Sequence, residues 1–187
     1  MSTRRVDHRT LSGLFNAKGF YTLGFSFIFG MSLWVTFFAG IIAFKALPRH
    51  QFGTLQQRTF PIYFNLNIII SSGLLLAWIR NHSLVIAHAR DPTAPDVVQA
   101  YALAVVTVSQ ALNSFWIGPS TKKVMMARHK LEKAEGKNAH DTDVSAHMRA
   151  LNVKFSRWHG LSSLANLIAF LALAFHGLWI GNYGITA

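Results

Sequence analysis

The sequence predicts an all-α integral membrane protein, a four-helix bundle with a helical hairpin between its third and fourth spans. Three observations carry that prediction. Residues 19–44, 59–79, 97–121 and 158–187 contain no Asp, Glu, Lys or Arg, and each run reaches the roughly 20 apolar residues that a helix needs to cross hydrocarbon. Charged residues make up only 13% of the chain, against about a quarter in a soluble domain. All five prolines, Pro48, Pro61, Pro92, Pro95 and Pro119, fall at the edges of those runs, where a missing N–H does least harm in lipid. The mean hydropathy of +0.30 averages greasy spans with polar connections. Residues 1–187 are therefore read as one transmembrane domain.

The elements follow in order. Arg4, Arg5, Arg9 and Lys18 stand against a single Asp7 in the N-terminal tail. The apolar run behind them is far longer than the 7–15-residue core of a cleavable signal, so the tail reads as the flank of a signal anchor. Span one covers about 20–45, and its Ser32, Thr36 and Gly40 form a small-residue stripe that lets helices approach closely. The connection 46–59 is short and makes spans one and two antiparallel neighbours. Span two covers about 60–80. A polar, proline-punctuated connection, 81–96, leads to span three at about 97–118. Span four covers about 159–182.

The long connection, 120–157, carries its own pattern. Val144, Met148, Leu151, Phe155 and Trp158 recur at heptad spacing. Asp143 is placed to cap that helix, and residues 136–143 form the turn. The prediction is a helical hairpin projecting from the membrane, with the seam covering its own partner arm. Docking of another protein on the seam is the alternative.

Counting Lys and Arg orients the chain. The first and third connections together hold 12 of them, whereas the tails and the second connection hold 6. The positive-inside rule then places the hairpin in the cytoplasm and both tails outside. Endomembrane or plasma membrane is the expected location, with a mitochondrial membrane as the alternative. The net charge of +11 sits on span flanks, so the expected partners are the bilayer and its anionic headgroups, with no nucleic acid. With no cysteine in the chain, disulfides, thiolate metal sites and a Cys nucleophile are excluded.

Polar residues inside the spans are the informative ones, because hydrocarbon penalises them unless they pair or line a cavity. Asn65, Asn113 and Asn166 all lie about 8–10 Å below one membrane surface, at the level of Thr36 and Gly40. Above them Arg49, His50, Arg58, Arg157, His159 and Ser163 describe a cationic mouth. The expectation is a polar half-cavity that binds or moves a small anionic or amphipathic ligand. Arg49, Arg58 and Arg157 attract its anionic group, His50 and His159 orient it, and the asparagines bond its buried part.

Nine histidines raise the question of metal or haem. His8, His82, His88, His129, His140 and His147 read as surface residues, and His129 and His140 have no partner at metal-ligand spacing. No metal and no cofactor are therefore expected. Haem with His159 as an axial ligand is the alternative, needing His50 from another segment, or His82 for His176. No Asp or Glu lies within a span, and no GxSxG, HExxH or Walker motif occurs, so no enzyme is expected.

Several stretches add a resemblance. GMSLWVTFF at 30–38, LPRHQFG at 47–53, TFPIYF at 59–64 and WHGLSSLAN at 158–166 resemble, in order and spacing, the signatures of the transmembrane protein 205 family. The resemblance implies a four-span eukaryotic membrane protein whose family-level biochemical activity is not established. Carried onto this chain, the motif positions of interest are Trp34, Arg49, His50, Pro61, Tyr63, His159, Ser162, Ser163 and Asn166. All these motifs fall at the surface where the polar level was placed.

Overall fold

The computed structural model describes residues 7–185, which hold helices and no strand. Arg4 and Arg5 of the basic tail lie outside the described residues. A short α1 (His8–Gly13) precedes α2 (Ala17–Trp34), a π-helical turn (Val35–Ala39) and α3 (Gly40–Ala46). Then come α4 (Arg49–Asn81), a short α5 (Leu84–Ala87) and α6 (Pro95–Leu112). A second π turn (Asn113–Ile117), α7 (Gly118–Glu135) and α8 (Ala146–Tyr183) complete the chain. These join into four rods, Ala17–Ala46, Arg49–Asn81, Pro95–Glu135 and Ala146–Tyr183, each long and apolar enough to span a bilayer.

The rods outrun the membrane. The third has 41 residues, about 60 Å of helix against roughly 30 Å of hydrocarbon. Its α7 end therefore stands clear and pairs with the first turns of α8 as the expected hairpin. Gly136 ends α7 in the left-handed region at φ 64°, where an L side chain is strained. The cap of α8 differs from the sequence expectation. Ser145 Oγ accepts the Met148 N–H at 3.0 Å, while Asp143 is drawn off to the Lys137 ammonium. The seam turns inward as expected. Val144 and Met148 are buried with Ala139, Phe155 lies 4.6 Å below the Arg128 guanidinium, and Trp158 meets Trp116 edge-on.

The first connection is the largest correction. Only Leu47 and Pro48 separate α3 from α4, so 49–59 is helix rather than loop. Pro48 is extended, and its carbonyl accepts the Phe52 N–H at 2.9 Å. The Gln-, Leu- and Arg-containing segment behind it then propagates readily as helix. Phe44 and Phe52 pack edge to face at 5.4 Å and pin the corner.

The second π turn has a local cause. Pro119 has no N–H, and its ring presses on the carbonyl one turn back. The helix opens, and Gly118 donates to the Asn113 carbonyl. A Cβ on Gly118 would sit 2.6 Å from that oxygen, so the π turn here depends on glycine.

Packing centres on α6, which lies between α4 and α8, while α2 lies against α4 and touches α8. Ile28, Leu103, Val106, Ala169 and Leu173 form the apolar centre. The first span is the least buried, and from Val35 through Ala46 none of its residues is buried.

Candidate functional site

One helix face from each span meets at a single level. On α4 the inward stripe is Tyr63, Asn67 and Ser71, one turn apart; on α8 it begins at Asn166. Asn166 is the hub. Its Oδ1 accepts from the Tyr63 hydroxyl at 2.6 Å and from Gln110 Nε2 at 3.2 Å. Its Nδ2 donates to Thr36 Oγ1 at 2.8 Å. Tyr63 also reaches Ser32 Oγ at 3.2 Å, and Ser32 donates to Asn67 Oδ1 at 3.3 Å. Asn113 Nδ2 donates to the Ser162 carbonyl at 3.2 Å. Thr36 and Asn113 each belong to a π turn, so both π turns lie at this layer. Such turns widen a helix locally and are frequent at functional sites.

Two acceptors in the layer have no hydrogen-bond partner: Gln110 Oε1 and Asn113 Oδ1, both buried. Burying an unpaired amide oxygen costs about 1–3 kcal/mol. The layer therefore has spare capacity for hydrogen-bond donors.

The structure divides the ten residues singled out in the sequence. Tyr63, Asn113 and Asn166 come together in the buried layer. Asn65 shares the level but not the face: it is exposed, and its Oδ1 accepts from Ser114 Oγ at 2.7 Å. Two residues beyond Tyr63 turn a helix by about 200°, which points Asn65 outward. Arg157, His159 and Ser163 are exposed on α8, with His159 stacked on Phe155 at 5.8 Å. His50 and Arg58 line an open depression of about 390 Å³ with Gln51, Thr54 and Leu55. Arg49 is drawn away to Glu132, 3.4 Å distant. The buried members of the expected half-cavity thus form a hydrogen-bonded layer, and its cationic members lie exposed or half-buried outside that layer.

A second buried polar cluster lies toward the other end. His176 contacts the Tyr21 hydroxyl through Nε2 at 2.7 Å and Gln99 Oε1 through Nδ1 at 2.9 Å. Both ring nitrogens are occupied, which does not suit a haem ligand. His82, read from sequence as a surface residue, is buried and stacked on Trp78 at 3.9 Å. Trp78 stands one helical turn before it, and that i, i+4 spacing was the signal that could have found the contact. Fully buried Ile28, Leu103 and Leu173 separate the two clusters.

At the hairpin base, His50 meets His129 edge to face at 4.9 Å rather than approaching His159. Burial holds the His129 imidazole below its ordinary value, and Glu132 pulls the other way. Burial, Arg49 and Arg128 likewise lower His140. The sequence reading gave His129 no partner. Glu132, three residues on and on the same helix face, was the signal that could have found one.

Comparison with known proteins identifies the kind of chain this is. A family model described as a domain of unknown function, DUF4149, matches residues 23–130. Transmembrane protein 205 from Danio rerio is 26% identical over 175 residues, covering 87% of this chain and 90% of that relative. No solved structure matches.

Proposed function

The chain belongs to the DUF4149 family and is a multi-pass membrane protein of the transmembrane protein 205 type, and on that premise we propose that it binds a small amphipathic ligand at the polar layer. The reading is non-enzymatic. The ligand's anionic group sits on the rim of Arg58, Arg157 and His159. Its hydroxyl or amide donors enter the layer and satisfy Gln110 and Asn113.

The observation that carries the reading is the pair of unpartnered buried amide oxygens, Gln110 Oε1 and Asn113 Oδ1. A purely structural interhelical network would pair them, since lipid offers no substitute donor. From Val35 to Ala46 the first span has no buried residue, so this stretch is the loosest cover over the layer. The Ile28, Leu103 and Leu173 block closes the far end, which favours binding from one side over conduction through the bundle.

Native mass spectrometry of protein purified in mild detergent tests this, with His159→Ala and Arg157→Gln beside the wild type. Both side chains are exposed, so their loss leaves the fold intact. The expected result is a bound species of defined mass that is depleted in both variants. A bare polypeptide throughout, or a species retained equally by all three proteins, overturns the reading.

A further inference from the structure

We propose that His50, His129 and Glu132 form a binding site for a divalent transition-metal ion of the zinc class, clamping the start of α4 to α7. One ligand atom from each lies within 4.8 Å of the others. Tetrahedral ligands around zinc stand about 3.3 Å apart, so a shift of roughly 1 Å per side chain closes the site. Two imidazoles and a carboxylate are a recurrent donor set for such ions, leaving a fourth position open.

A second observation points the same way. Glu132 is buried, with 7% of its side chain exposed. Its Oε1 accepts the Ala139 N–H at 2.8 Å and faces Arg49. The backbone bond holds the carboxylate in one orientation, as outer contacts of a metal ligand do, and leaves its second oxygen, Oε2, buried without a hydrogen-bond partner. Buried Gly53, one turn beyond His50, lies against His129 and lets α4 approach α7 closely.

Charge opposes the site and makes it testable. Arg49 and Arg128 face the same pocket, and Arg49 competes with an ion for Glu132. Arg49 is about a third exposed (34%) and free to turn to solvent. The ion would add a link between two segments that meet through the Arg49–Glu132 ion pair, the His50–His129 ring contact and Gly53, tying the hairpin to the corner between the first two spans.

The experiment uses the full-length protein in detergent, titrated with ZnCl2 by calorimetry and with Co2+ by visible absorption. Wild type and His147→Ala, an exposed histidine elsewhere in the hairpin, are expected to bind one ion with a tetrahedral cobalt spectrum. His50→Ala and His129→Ala are expected to weaken binding at least tenfold. Arg49→Gln is expected to tighten it several-fold, because it removes a like charge and the competitor for Glu132. Because His50 is exposed, its loss spares the fold. No saturable binding by the wild type, or equal affinity in His50→Ala, overturns the proposal.

Discussion

Replacing Asn166 by Leu removes the hub of the polar layer while keeping side-chain volume close. Three partners lose their contact: the Tyr63 hydroxyl, Gln110 Nε2 and Thr36 Oγ1. They are not equally stranded. Tyr63 retains Ser32 at 3.2 Å, and a helical threonine hydroxyl turns readily to a carbonyl of the preceding turn. Gln110 is left with neither its oxygen nor its nitrogen paired. One fully stranded group at about 1–3 kcal/mol plus two weakened bonds at about 0.6 kcal/mol each gives a loss of roughly 3 kcal/mol. Tyr63→Phe removes a hydroxyl but leaves Asn166 Oδ1 with Gln110, so it is expected to cost about 1 kcal/mol. Reversible unfolding in mixed micelles measures both. If Tyr63→Phe destabilises as much as Asn166→Leu, the hub assignment is refuted.

Three further outcomes follow from the same geometry. Gly136→Ala is expected to destabilise the hairpin by about 1 kcal/mol through its left-handed φ, whereas Gly136→Asn is expected to be nearly neutral in the same unfolding assay. Gly177→Ala would bring a methyl within 2.6 Å of the Phe25 ring tip, and about 1–3 kcal/mol of overpacking should appear as a lowered Tm. Acid should loosen the hairpin. His129 and His140 are held below their ordinary 6.5, first by burial. Their neutral forms are favoured on folding, so this contribution is complete above pH 6.5 and shrinks as the pH falls below it. Asp143, held below 3.8 by Lys137, adds stability that is lost only as the pH drops further. Amide exchange across 136–148, corrected for intrinsic rate, should therefore quicken from pH 7.5 to 5; unchanged protection would count against the assignment.

Much of the architecture was legible from local pattern. A charge-free run of adequate length in hydrocarbon has one stable solution, a helix, because no water is there to take its backbone polar groups. The four spans, the hairpin and its inward seam follow from that rule and from heptad spacing. Depth was legible as well, because a helix rises uniformly. Tyr63, Thr36, Asn113 and Asn166 accordingly share a level. The segment 49–59 was misread because a polar stretch between two apolar runs looks like a loop. Its helix is an ordinary propensity effect started by Pro48 and pinned by Phe52 against Phe44.

Rotational phase and long-range pairing belonged to the tertiary structure. Which side of α4 faces inward separates buried Tyr63 and Asn67 from exposed Asn65, and only packing against α6 and α2 sets that angle. Each π turn adds a residue to its turn and rotates everything beyond it, so a count along the sequence drifts past Thr36 and Asn113. The meeting of His50 with His129, and of Asn166 with Tyr63 and Thr36, joins residues that no local period relates. Composition and spacing determined that this chain crosses the membrane four times and carries polar groups at one depth. Only the packing of the helices decided which of those groups touch, because contact depends on an angle that hydrophobicity alone leaves free.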